Sequence, residues 1–217
     1  MSDVMDKTER TRLRRMHERG HFDRETVNGI LDAMPLCHVG YILDGRPAVT
    51  PTLQWREGNH VYWHSSSASR AGRLSAGMDV CLTVSMLDGM VMARSAMHHS
   101  VNFRSVMIYG KATKIDDPEI KLTKFRNMIE AYFPGRWDLL RPVSAQETKA
   151  TMVLSLPIEE ASAKVRTGGP KDDEEDYALP IWAGVVPISF SVGAPISDPL
   201  NLPGVETPDH ATNFRIG

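Results

Sequence analysis

Apolar and polar positions alternate with a period of two through much of the chain up to residue 115, and a helical period shows clearly only before that stretch and after it. Val27, Ile30, Leu31 and Met34 follow the i, i+3, i+4, i+7 spacing of one buried helical stripe. Asp23 is placed to cap that helix, with Glu25 in its first turn, and Pro35 ends it. Residues 37–42 read as a strand, Asp44 and Gly45 as a hairpin turn, and residues 48–55 as the return strand. Pro51 inside that run requires an edge or a bulge. Glu57, Gly58 and Asn59 turn the chain into a strand over 60–64. Val80, Leu82 and Val84 alternate with Cys81, Thr83 and Ser85, the pattern of a half-buried strand. Asp88 and Gly89 read as another turn, leading to a further strand over 90–96, and residues 103–115 form a long β-branched run.

The character then changes. Asp117 and Pro118 open a helix at its cap and first position, and Leu122, Phe125, Met128, Ile129 and Phe133 give it an apolar stripe that Pro134 and Gly135 stop. Ser144 and Glu147 have the spacing of a capping box. Residues 152–158 and 159–167 read as two last strands, 168–180 as an acidic, mobile loop. Five to seven strands with tight turns and a few helices predict a mainly β fold: a small antiparallel barrel with peripheral helices. No strand–helix–strand alternation occurs in the first 115 residues, which excludes a doubly wound sheet. Residues 1–20 are expected to be a charged, flexible segment, 21–190 the barrel domain and 191–217 an extended C-terminal arm rich in Pro and Gly.

Composition narrows the function. The 217 residues are 41% hydrophobic, enough for a substantial core, and a net charge of −2 lacks the basic excess of a nucleic-acid binder. No run of 18 apolar residues is present, so no membrane span is expected, and the charged N-terminus lacks the apolar core of a signal peptide. Cys37 and Cys81 both fall in strand-like runs; two buried free thiols fit a cytoplasmic protein.

The chemistry concentrates in residues 61–74, VYWHSSSASRAGRL. An apolar strand ends in a serine-rich turn that runs into a basic, helix-like crossover. Ser65, Ser66, Ser67 and Ser69 offer hydroxyls, and Arg70 and Arg73 lie three apart on one helical face. Donors and cations converging at a helix start suit a phosphate. Neither GxxxxGK[ST] nor GxGxxG is present, so this is a different phosphate device. A metal site is not expected: His60 and His64 share a strand face about 13 Å apart, adjacent His98 and His99 point to opposite faces of a strand, and HExxH is missing. A haem needs only one histidine, and His64, His98 and His99 are the candidates. No GxSxG elbow occurs and neither cysteine adjoins a base, so no catalytic side chain is assigned. Trp55 and Trp137 read as packing residues, whereas Trp63 and Trp182 could meet a flat heteroaromatic ring.

The order of RPAVTPT (46–52), VYWHSSSASRAGR (61–73), DVCLTVS (79–85), NFRSVMIYGKA (102–112) and a late tryptophan resembles the FMN-binding split-barrel superfamily of pyridoxamine-phosphate oxidase, most of all its nitroimidazole-resistance reductase branch, over about residues 20–190. The resemblance implies an antiparallel split β-barrel and a homodimer with two FMN molecules in clefts between the subunits. It implies that the strand from Arg46 to Thr52, with Thr50, lines the flavin, and that Trp63, His64 and Ser65 lie along it. Ser69 and Arg70 match the phosphate-gripping pair and Arg73 a second basic position. Arg104 and Ser105 begin a strand that reaches the flavin, Ser105 standing where the oxidase has glutamine; Trp182 approaches the cofactor from the other subunit. Ala71 replaces the oxidase's lysine and its C-terminal arginine–histidine pattern is missing, so the vitamin-oxidase activity is not expected. The implied function is an FMN-dependent oxidoreductase moving electrons or hydride from reduced nicotinamide to a small organic acceptor such as a nitro-aromatic. The alternative is a non-catalytic flavin- or haem-binding module. FAD or a deazaflavin would share the ring and the phosphate. In each case the flavin does the electron chemistry and the protein positions it.

Overall fold

The computed structural model describes residues 4–68 and 77–217. A two-residue strand, β1 (Gly20–His21), leads into helix α1 (Arg24–Ala33), whose cap is Asp23: its carboxylate accepts the Thr26 N–H at 2.8 Å. Strands β2 (Leu36–Leu43) and β3 (Arg46–Glu57) form a hairpin through Asp44 and Gly45, both at positive φ (50° and 74°), the backbone that a tight two-residue turn needs. β3 pairs with β2 from Arg46 to Leu53 and then with β4 (His60–Ser66) from Gln54 to Glu57. Pro51 therefore lies in the half of β3 that has one strand partner, where a proline is tolerated.

The longest strands, β5 (Met78–Met92) and β6 (Ser100–Ile115), pair along almost their full length. Asp88 and Gly89, expected to be a turn, are instead a bulge inside β5: the register shifts between Leu87 and Gly89 and the strand continues. Turn and bulge draw on the same residue types, and long-range pairing decides between them. Gly89 is required there, because a Cβ would lie 3.1 Å from both Val185 Cγ1 and the Val186 carbonyl of β9 (Gly184–Pro187), which pairs with this end of β5.

Helix α2 (Pro118–Tyr132) starts as its sequence dictates, Asp117 accepting the Glu119 and Ile120 N–H groups at 2.8 and 3.1 Å. The Ser144–Glu147 capping box begins the short helix α3 (Ala145–Ala150). Strands β7 (Thr151–Pro157) and β8 (Glu160–Arg166) then take separate places: β7 pairs with β4 and with the end of β6, β8 with the first half of β6. The circuit β2–β3–β4–β7–β6–β5–β2 closes, giving an antiparallel split barrel.

The barrel interior is filled by Val39, Trp63, Leu82, Val106, Ile108 and Leu154, and α1 adds Val27, Ile30 and Leu31. A smaller core lies outside the barrel, where α2 brings Phe125, Met128 and Tyr132 against Trp55, Tyr62 and Val153. The segment before β1 contributes Met5 to the main core. The acidic stretch after β8 carries a 3-10 turn at Glu174–Ala178 and is anchored: the Asp172 carboxylate accepts the Arg94 N–H and guanidinium, each at 2.9 Å. The C-terminal residues hold a one-turn helix, α4 (Asp209–Thr212), and return to α1, the Gly217 N–H donating to Ala33 O at 2.9 Å. No helix among the described residues is long and apolar enough to cross a membrane.

Gln54 joins helix to barrel. Its buried Nε2 donates to Leu31 O at 2.7 Å and Met34 O at 2.9 Å, two carbonyls at the end of α1 beyond which no further helical turn follows to donate to them. Gln54→Ala is expected to lower unfolding stability by at least about 2 kcal/mol, read from urea denaturation. A loss below about 0.5 kcal/mol, the range of a neutral surface change, would contradict that role.

Candidate functional site

Three neighbours at the end of β4 carry the expected chemistry. Trp63 is turned into the barrel and buried, held there by pairing with Gln54 on one side and Leu154 on the other. His64 serves two surroundings: its carbonyl accepts the Thr52 hydroxyl at 3.4 Å, while its ring meets Phe125 of α2 edge-on, centroids 6.2 Å apart. Ser65 follows, opposite Met152. With Val39, Tyr41, Thr50 and Thr52 these residues line one groove at the barrel mouth, in which the Tyr41 and Thr50 hydroxyls share a 2.9 Å hydrogen bond. Its volume is only about 10 Å³. A single chain thus offers a wall of aromatic, aliphatic and hydroxyl groups, and a planar ring on it needs a second wall.

The His64 imidazole is half-buried, and burial holds its pKa below the ordinary histidine value. Its Nδ1 is buried without a hydrogen-bond partner among the described residues. Beyond it the chain enters the crossover: the Ser67 N–H and hydroxyl both donate to Ala150 O, at 2.9 and 3.0 Å, pinning the exit from β4 to the junction of α3 and β7. The expected phosphate residues Ser69, Arg70 and Arg73 lie outside the described residues.

The other expected site residues do not line the groove. Arg46 is exposed at the start of β3. Arg104 is half-buried and forms a forked pair with Asp88 at 2.8–3.2 Å, which raises its pKa further. Its charge is spent on fixing the β5 bulge. Ser105 donates to Lys164 O of β8 at 3.4 Å. Trp182 is 66% exposed, and its ring rests on Gly184, where a Cβ would come within 2.9 Å of it. Tyr41 in the groove escaped the sequence reading; its inward alternation was the available signal. Trp137, read as packing, lines a cavity between α2 and the segment after it.

The histidines after β5 are placed differently. His98 Nδ1 lies 3.8 Å from the Asp172 carboxylate, and ligand atoms of His98, Asp172 and Asp176 fall within 4.8 Å of one another. Arg94 already pairs with Asp172 there, so a cation is supplied by the chain itself. His99 Nδ1 is 2.9 Å from Ser95 O.

The closed antiparallel barrel, with β7 and β8 splitting along β6 and a polar-aromatic wall at the end of β4, defines a split-barrel protein of the flavin-binding type. A family model described as pyridoxamine 5'-phosphate oxidase matches residues 23–165, and the chain belongs to that family. The structure is similar to that of the flavocytochrome Anf3 from Azotobacter vinelandii: 54% identity, 97% of this chain and 98% of that one, TM-score 0.93. An FAD and haem binding protein from Mycobacterium smegmatis follows at 32% identity, 91% and 97% coverage and TM-score 0.86. A 5-nitroimidazole antibiotic resistance protein from Bacteroides thetaiotaomicron, 24% identical over 66% of this chain and 84% of its own (TM-score 0.53), shares the fold. Among curated proteins none matches the chain.

The depressed His64 pKa has a signed consequence. The unfolded chain takes up a proton near pH 6.5 while the folded ring stays neutral, so stability falls as pH drops through that value. Lowering the pH from about 7.5 to 5 is expected to cost the native protein more stability than it costs His64→Gln, read from thermal unfolding; equal losses would contradict the placement of the ring.

Proposed function

We propose that this chain is a flavin-dependent redox protein that works as a homodimer and carries a haem as second cofactor. The observation that carries this reading is its near full-length relation to a flavocytochrome, joined to a polar-aromatic wall at the end of β4. The flavin ring lies against Trp63 and Ser65, with Thr50 beside it, and Ser69 and Arg70 grip the phosphate with Arg73 as a further cation. A flavin bound there would supply hydride and single-electron chemistry, able to link reduced nicotinamide to a haem iron or to a small organic acceptor such as a nitro-aromatic.

His98 is the residue best suited to hold the iron. Its Nδ1 lies 3.8 Å from the Asp172 carboxylate, whose side chain is fully buried, and its Nε2 is left for a metal. Exposed apolar residues stand on the adjoining segments: Met90 and Met92 on β5, Met97 after it and Trp182 before β9. The same need for cover supports the dimer. Leu36, Ile42, Val49 and Leu53 form an exposed apolar face on one side of β2 and β3, uncovered by any helix among the described residues. A second copy would cover that face, with Trp182 of one copy reaching across to the flavin of the other.

Purified protein reconstituted with flavin and haem should show flavin bands and a Soret band, both responding to reduced nicotinamide without air. His98→Ala should lose the Soret band and His64→Ala keep it; the reverse would move the haem to β4. Replacing Arg70 and Arg73 together by Ala should weaken flavin binding at least about tenfold, since each charge-assisted contact contributes about 1.5–3 kcal/mol. Unchanged affinity would mean that the phosphate lies elsewhere. Sedimentation at micromolar concentration should give twice the 24.2 kDa chain mass; a monomer would contradict the shared site.

A further inference from the structure

A cavity of about 620 Å³ is lined by the C-terminal ends of α1 and α2, by β3 and, as a separate wall, by the C-terminal segment around α4. It shares no lining residue with the groove at the end of β4. Trp55, Tyr132 and Phe214 give it aromatic walls. The C-terminal wall is tied down at two points: the Phe214 ring stacks on Phe133 with centroids 5.5 Å apart, and the Gly217 N–H donates to Ala33 O at 2.9 Å. Volume and lining suit a small molecule, with aromatic surface and a few polar groups set into it.

Most polar groups of the strand and helix walls are satisfied within the chain. Arg56 is forked onto Asp32 at 2.6 and 2.8 Å and donates to Gly58 O at 2.8 Å. The Trp55 indole N–H donates to Glu57 at 2.8 Å. The Tyr132 hydroxyl donates to Gln54 O, and burial pushes its pKa up, so it stays a donor there. Gln54 Oε1 is the exception. Because Nε2 donates to two carbonyls of α1 and its end, the amide is fixed and Oε1 can only accept; it is buried with no donor among the described residues, in a side chain 1% exposed. A buried acceptor left unpaired is costly, so this position favours a ligand that brings a donor. On the C-terminal wall, His210 Nε2 is buried without a partner among the described residues. Asp209 and Arg215 are exposed there, and among the described residues neither has an ion-pair partner. Arg215 spends only Nη1, on the Thr212 and Phe214 carbonyls at 3.2 and 2.6 Å.

We propose that this cavity binds an aromatic α-amino acid with a donor on its ring, of the tryptophan or tyrosine class. The ligand carboxylate pairs with Arg215 and its ammonium with Asp209, His210 Nε2 being a further acceptor. The ring lies among Trp55, Tyr132 and Phe214, and its indole N–H or phenol O–H donates to Gln54 Oε1. Two free charges of opposite sign favour a zwitterion over an acid or an amine alone. The buried acceptor favours tryptophan or tyrosine over phenylalanine, which would leave Oε1 unpaired. The site is independent of the flavin reading, since none of its groups belongs to the β4 end.

Isothermal titration calorimetry of the purified full chain tests this, with L-tryptophan, L-tyrosine, L-phenylalanine, tryptamine and indole-3-propionate as probes. L-Tryptophan or L-tyrosine is expected to bind with a Kd below about 1 mM, and L-phenylalanine at least about tenfold more weakly. Arg215→Ala, at an exposed position, should weaken L-tryptophan at least about tenfold and leave tryptamine, which has no carboxylate, unchanged. Asp209→Asn should weaken L-tryptophan and leave indole-3-propionate, which has no amine, unchanged. Ala131→Trp, which fills the cavity from an exposed position of α2, should remove binding altogether. No heat with either L-tryptophan or L-tyrosine at about 1 mM would mean that solvent alone meets these groups, and would overturn the proposal. Binding that survives Ala131→Trp, or that is as tight for L-phenylalanine, would overturn it as well.

Discussion

One strand edge with two successive neighbours organises this molecule. β6 gives residues 100–112 to β5 on one side; on the other it gives residues 103–109 to β8 and residues 113–115 to β7. The β7–β8 hairpin therefore has to open, one arm joining β4 to close the barrel and the other carrying β1 and the N-terminal segment along the outside. Because β4 is bound to β7 throughout, its last residues stop where α3 ends and β7 starts, and the serine-rich exit from β4 is hydrogen-bonded to that junction. The place where a phosphate is expected is thus fixed by pairing between residues almost a hundred positions apart.

Closure also dictates what kind of site can exist. Interdigitating side chains and α1 fill the barrel interior, leaving about 10 Å³ at its mouth. A planar cofactor cannot enter the barrel and has to lie against its wall. On the opposite side of the same hairpin, β2 and β3 carry a bare apolar face, which is why the proposed function includes a second copy of the chain. On the outer side of β4, α2 builds a separate small core on Trp55 and Tyr62, stacked at 5.7 Å, and holds open the cavity beside it.

Local chemistry was legible in the sequence. The caps at Asp23, Asp117 and Ser144, the turn at Asp44 and Gly45 and the inward alternation of β5 all follow from residues within a few positions of one another. Long-range relations were not. Asp88 and Gly89 carry a turn signal, but pairing with Asn102 and Val186, and the fork from Arg104, make them a bulge. The same fork removes Arg104 from the free cations of the candidate site. The acidic run after β8 looks solvated until Asp172 meets Arg94, 78 positions away. Trp63, His64 and Ser65 could be read because one strand carries them; the cavity could not, because its walls come from a helix, a loop and a strand start.

The account stands on a flavin ring lying against the last residues of β4. A crystal structure of the flavin-loaded protein measures this directly. The account predicts the ring in van der Waals contact with Trp63 and Ser65 and the phosphate at Ser69 and Arg70. A flavin seated anywhere that leaves both Trp63 and Arg70 untouched would contradict it.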